Sequence, residues 1–133
     1  MNTSRRKLIY WIAPIAWAGL LFFLSAQSSL PKIGPEFRNI DKLEHMVAYG
    51  FLGMFIMLAL RKAHGTRLPL ALLLTILIAS AYGATDEWHQ SYVPNRSCDV
   101  LDWTADTLGG VLAASLYFAY ESHRSTKANR QSA

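Results

Sequence analysis

The chain alternates long apolar runs with short polar segments, and none of the runs carries the Lys/Glu stripe that a water-facing helix surface needs. Leu8 to Leu30 contains no charged residue, and Leu68 to Thr85 gives eighteen residues without one. As helices rising about 1.5 Å per residue, both can cross most of a ~30 Å hydrocarbon core. Met46 to Leu60 and Thr107 to Tyr120 are shorter uncharged runs. Falling below the ~20 residues of an ordinary span, they reach the interface only by including the polar turn beside them. That places His45 and Asp106 near membrane depth. The pattern predicts one all-α domain over 1–133, an integral membrane bundle of four transmembrane helices near 8–26, 43–60, 68–85 and 103–120.

Charge refines this picture. Of thirteen Lys and Arg, nine fall in three alternate segments: Arg5, Arg6 and Lys7; Arg61, Lys62 and Arg67; Arg124, Lys127 and Arg130. The other four, Lys32, Arg38, Lys42 and Arg96, lie on the opposite side. Cytoplasmic loops hold the Lys/Arg excess, so the expected orientation in a bacterial inner membrane has both termini in the cytoplasm. Eight of the nine acids lie on the outer side, leaving Glu121 within. The net charge of +4 and pI near 9.4 thus follow from topology, and nucleic acid is not an expected partner. The basic start followed by an apolar run and Ala26-Gln27-Ser28 has the outline of a signal peptide. Its length, with Trp11, Pro14 and Trp17, favours an uncleaved anchor. Cys98 stands alone, which excludes an internal disulfide and any cysteine metal motif.

The polar residues gather where apolar runs begin or end. Asp41, Glu44 and His45 fall at i, i+3 and i+4, with Tyr49 one turn further on the same face. If the third helix continues past Thr85, Asp86, His89 and Gln90 share a face and Glu87 points elsewhere. Pro94 and Asn95 then break the helix. The fourth helix is expected to start around Ser97 as N-cap, aligning Asp99, Asp102 and Asp106 in one stripe. Short connections bring these ends together. The expected pocket comprises Asp41, Lys42, His45, Tyr49, Asp86, Glu87, His89, Gln90, Arg96, Asp99, Asp102 and Asp106, with Arg96 as main cation. Its carboxylates outnumber its cations, so protons, a metal or a ligand must compensate. Elsewhere Gly50, Gly53, Gly109 and Gly110 suit close helix contact. Trp88, Tyr92 and Trp103 suit interfacial anchoring, and His64 and His123 suit solvated positions.

Four ordered pieces carry a resemblance: Asp41-Lys42-x-x-His45-x-x-x-Tyr49, Asp86-Glu87-x-x-Gln90, Val93-Pro94-Asn95-Arg96-Ser97-x-Asp99-x-x-Asp102, and Asp106-Thr107-x-Gly109. Together they resemble the VanZ-like membrane proteins over about Asp41 to Ala113. Asp106 departs from the pattern, which often has Asn there, and adds a negative charge. The resemblance implies a small multi-pass membrane protein. It also links the chain to an accessory determinant of resistance to teicoplanin-type glycopeptides.

Three functions fit the residues. One is binding of an envelope lipid, a lipid-linked molecule or a lipoglycopeptide, with Arg96 and Lys42 available for phosphate or carboxylate. The stretch from Asp86 to Asp106 sums to −4, however, which favours a cationic or metal-bridged ligand. Another is a hydrolase or transferase acting on a lipid-linked substrate through a divalent metal, with His45, Asp86, Asp99 and Asp102 as candidate ligands. No HExxH or GxSxG motif accompanies these residues. The third is a purely structural network, or an assembly role beside another membrane protein. Ion translocation fits poorly, because the charges stop near one surface. The oligomeric state does not follow from the sequence.

Overall fold

The structure, a computed structural model, describes residues 3–29 and 40–131. Lys32, Glu36 and Arg38 of the outer charge count lie outside the described residues, as do the side chains of Arg5 and Arg6. The described chain is entirely helical: α1 (Thr3–Ser25), α2 (Ile40–His64), α3 (Leu68–Gln90) and α4 (Val100–Gln131). Each helix exceeds its expected span, because the flanking polar turns continue the helix. Successive helices run in opposite directions. Ser25 meets Asp86 and Lys42 meets Asp99 at one end of the bundle, while Trp11 meets His64 and Arg61 meets Glu121 at the other.

Local chemistry explains the turns. α2 stops at Gly65, whose φ of +63° is open to glycine without a Cβ clash. Gly65 N–H then donates to Arg61 O at 3.1 Å, the bond of an αL cap, and Thr66 N–H donates to Leu60 O at 3.2 Å, so these last carbonyls are satisfied. Pro69 sits in the first turn of α3, where a missing N–H is harmless. Beyond α3, Arg96 N–H donates to Val93 O at 3.1 Å across Pro94 and Asn95. Asn95 takes φ +63°, giving a type II turn with proline leading. α4 begins later than the Ser97 expectation, with Asp99 as its cap: Leu101 N–H donates to Asp99 Oδ1 at 2.8 Å.

α2 touches all three other helices, and α1 and α4 flank the α2–α3 pair. Asp106 apart, α4 buries only small residues: Ala105, Gly109, Gly110, Ala113 and Ala114. A Cβ on Gly109 would stand 2.1 Å from the Met46 carbonyl oxygen, and one on Gly53 would stand 3.0 Å from Gly110 Cα. This is the small-residue packing that lets backbones meet. The α1 side is built differently, by aromatic groups donating to backbone oxygens: Trp17 Nε1 to Ala48 O at 2.9 Å and Tyr82 Oη to Ala18 O at 2.5 Å. Trp11 Nε1 donates to His64 Nε2 at 2.9 Å, so His64, although surface-exposed, is engaged rather than merely solvated. At the same end Arg61 grips Glu121 with two nitrogens, at 2.6 and 3.1 Å.

The outside is apolar. Ile12, Ile15, Phe23, Phe51, Leu73, Leu77, Leu112 and Leu116 are all at least half exposed, a surface suited to lipid and not to water. α2, α3 and the Lys7–Ser25 part of α1 are long and apolar enough to cross a membrane. α4 does not reach that standard, because Asp102 and Asp106 occupy its first turns and Glu121 begins a polar extension. The chain is therefore a membrane protein with three such helices and a fourth packed into them.

The Gly109→Ala variant should lose more than about 2 kcal/mol of stability, since the methyl forces the α2 and α4 backbones apart. Gly19→Ala, with nothing within 4 Å of its Cβ position, should be neutral or stabilising by up to about 1 kcal/mol. Thermal unfolding of both in detergent micelles makes the comparison.

Candidate functional site

At one end of the bundle all four helices contribute polar groups. Lys42, in the first turn of α2, reaches three carboxylates: Asp99 Oδ2 at 2.6 Å, Asp102 Oδ1 at 2.7 Å and Asp41 Oδ2 at 3.0 Å. Asp99 is the hinge of this arrangement. Its Oδ1 caps α4, its Oδ2 takes the Lys42 ammonium, and its N–H donates to Glu87 Oε2 at 2.8 Å. One residue thereby ties α2, α3 and α4.

Deeper in, His45 Nδ1 lies 2.9 Å from Asp106 Oδ1, and His45 Nε2 lies 3.9 Å from Asp102 Oδ1. Asp106 is fully buried, and its Oδ2 has no hydrogen-bond partner among the described residues. That oxygen fits because the facing residue is glycine: a Cβ on Gly83 would come within 2.9 Å of it. On the α1 side Asp86 accepts from Ser25 Oγ at 2.6 Å and from Gln90 Nε2 at 3.3 Å. Gln90 also donates to Glu87 Oε1 at 3.2 Å. Tyr49 is buried between these groups, with its hydroxyl unpartnered among the described residues.

Several expectations need correcting. Glu87 does not point elsewhere; it is 2% exposed and belongs to the cluster. Consecutive helical positions point about 100° apart. The end of α3 is wedged between α1 on one side and α4 on the other, so Asp86 finds one neighbour and Glu87 the other. His89 does not join Asp86 and Gln90; its ring lies against Phe22 at 4.4 Å. Arg96 is not the main cation. Its Nε donates to Gln27 O at 3.0 Å, and Lys42 is the ammonium that holds the acids. Of the expected metal ligands, Asp99 and Asp102 are held by Lys42 and Asp86 by Ser25 and Gln90, whereas His45 lies among other donors. α1, absent from the expected pocket, supplies Ser25, Leu21 and Leu24. Only the serine ending an otherwise apolar helix hinted at this.

A cavity of about 230 Å³ opens beside this network, lined by Asp41, Glu44, His45, Tyr49, Asp86, Gln90 and Arg96 with Leu21 and Leu24. A wider apolar groove between α1 and α2, about 440 Å³, adjoins it and is lined by Trp17, Leu20, Leu43, Val47 and Phe51. Leu21, Leu24, Glu44 and Ala48 border both. The polar pocket thus opens sideways, between two helices, onto an apolar surface.

The VanZ/LLP1 family model matches residues 7–121, most of the chain and all four helices, and the chain belongs to this family. Neither the curated proteins nor the solved structures hold a significant match.

The Lys42 ammonium holds the Asp99 carboxyl below its ordinary pKa of 3.8. Its contribution is complete above that value and lost as pH falls through the lower folded-state pKa. Lys42→Met should lower the melting temperature, because three carboxylates lose their common cation. It should also reduce the acid-side dependence that Asp99 contributes below about pH 4, leaving the part that comes from the Leu101 N–H. Arg96→Gln should change stability by less than about 1 kcal/mol. Thermal unfolding in detergent between pH 3 and 8 tests both.

Proposed function

We propose that this protein crosses the bacterial inner membrane four times, with both termini in the cytoplasm. Its outer-end pocket receives the polar head of an amphiphile whose tail lies in the α1–α2 groove. The observation that carries this reading is the shared border of the two cavities: Glu44 and Ala48 line both the acidic pocket and the apolar groove. A head that needs hydrogen bonds and a tail that needs hydrocarbon can be met at once, with entry from the bilayer side.

The charges select the head. Asp41, Glu44 and Asp86 line the pocket, Arg96 is the available cation, and the Lys42 ammonium is committed to its three carboxylates. An anionic phosphate would meet net repulsion, whereas an amine would meet hydrogen-bond acceptors of opposite charge. Envelope lipids, lipid-linked molecules and lipoglycopeptides that combine an amine with an acyl tail are the ligand class that fits. The fourth span is supported by the exposed Leu108, Leu112 and Leu116 on α4. The orientation is supported by the Lys/Arg excess at the Arg61 end.

Trp17 in the groove reports tail entry. Titration with a long-chain primary amine should change tryptophan fluorescence with saturation, and a long-chain phosphate of equal length should bind at least tenfold more weakly. Glu44→Gln, Asp86→Asn and Ala48→Phe should each weaken the amine about tenfold, equivalent to about 1.4 kcal/mol. Equal binding of amine and phosphate, unaltered by these substitutions, would sink the proposal. For orientation, an impermeant maleimide on intact cells should label the exposed Cys98. It should leave a Cys98→Ser, Ser125→Cys variant unlabelled until the cells are permeabilised.

A further inference from the structure

We infer that His45, Glu87 and Asp106 form a binding site for one divalent transition-metal ion. They come from α2, α3 and α4, and each offers one ligand atom within 4.8 Å of the other two. Zn²⁺ and similar ions hold nitrogen and oxygen donors at about 2.0–2.2 Å, so side-chain movements of about 1 Å would bring all three onto one ion. This set differs from that expected on sequence, since it keeps His45 and replaces the three carboxylates committed elsewhere.

Proximity of acids is not the whole case. Asp106 is 0% exposed, its Oδ2 lacks a partner among the described residues, and Gly83 leaves it the space it occupies. A fully buried carboxylate oxygen without a donor is costly unless a cation or proton meets it. Glu87, at 2% exposure, adds a second buried carboxylate. Two carboxylates and one neutral imidazole around a divalent ion sum to zero charge. Among the described residues the nearby Lys42 ammonium does not achieve this, because it is engaged with Asp41, Asp99 and Asp102.

The surroundings also suit a metal. Glu87 Oε2 accepts the Asp99 N–H and Oε1 accepts the Gln90 amide, which fixes the carboxylate's orientation. Asp102 Oδ1, at 3.9 Å from His45 Nε2, stands where it can steer the imidazole. One nitrogen and two oxygens without sulfur favour Zn²⁺, Mn²⁺ or Fe²⁺ over Cu(I). His45 also lines the pocket, so an ion held there would face whatever the pocket admits. This inference stands independently of the amphiphile reading, whose test uses a different measurement.

The competing account is a metal-free triad in which protons neutralise the carboxylates. The full chain, purified in detergent without chelator, should carry about one equivalent of divalent transition metal by mass spectrometry. After stripping, Co²⁺ should restore that stoichiometry with a visible absorption band. Glu87→Gln and Asp106→Asn, near-isosteric changes, should each reduce occupancy at least tenfold and remove the band. Glu121→Gln, at the opposite end, should retain both, and thermal unfolding verifies that the variants fold. Substoichiometric metal in the wild type, or a Co²⁺ band unchanged in folded Glu87→Gln and Asp106→Asn, overturns the site. So does a wild type that Co²⁺ neither colours nor stabilises while Asp106→Asn raises its melting temperature, the outcome expected of protonated carboxylates.

Discussion

Lys42 is one ammonium facing three carboxylates, and the arrangement of the polar end hangs on it. Charges taken partly out of water must find partners in place, since little solvent remains to screen them. By gripping Asp99 and Asp102, Lys42 draws the first turn of α4 against the first turn of α2. Asp99 then has its two carboxylate oxygens occupied, one by Lys42 and one by the α4 backbone, which leaves its N–H for Glu87. The position of Glu87 near His45 and Asp106 is a consequence of that chain of partners. Each link is short: Lys42 joins α2 to the start of α4, and the Asp99 N–H joins that start to α3.

At the other end of α2, Arg61 holds Glu121 of α4 through two nitrogens. Between these polar clamps lies a seam of glycines and alanines, where Gly109 meets the Met46 backbone and Gly53 meets Gly110. In lipid the hydrophobic effect does little to press helices together, so close backbone contact and polar clamps must hold the register. α1 is tied differently, by Trp17 and Tyr82 joining side chain to carbonyl oxygen and by Ser25 and Trp11 donating to Asp86 and His64, and the groove that adjoins the pocket lies between it and α2.

Membership of the VanZ/LLP1 family identifies the kind of molecule without specifying its chemistry. The chemistry lies in the division of labour among carboxylates that look equivalent in the sequence. Asp41, Asp99 and Asp102 belong to Lys42, and Asp86 belongs to Ser25 and Gln90. Glu44 and Asp41 face the open cavity. Glu87 and Asp106 converge on His45. A pocket of mixed charge beside an apolar groove therefore contains two distinct environments, one open to the cavity and one buried beneath it.

Helices and polar ends were legible in the chain because apolar length and acid placement are one-dimensional properties. Uncharged runs such as Leu68 to Thr85 can be counted, and Asp41, His45 and Tyr49 share a face by period alone. Gly109 and Gly110 announced close contact by their size. Which carboxylate pairs with which cation was not legible, because that depends on distances between helices. Sequence favoured Arg96 as the cation, being alone among acids in its loop, yet the type II turn at Pro94 and Asn95 sends it toward Gln27 while Lys42 reaches across from α2. Glu87 was misplaced for a related reason: a helical period tells which residues share a face, but only the packed neighbours tell how many faces are buried. The sequence by itself determined an all-helical membrane chain with its acids crowded at one end. The tertiary structure decided how those acids are shared out, because ion pairs and hydrogen bonds fall off within a few ångströms and are set by the approach of one helix to another.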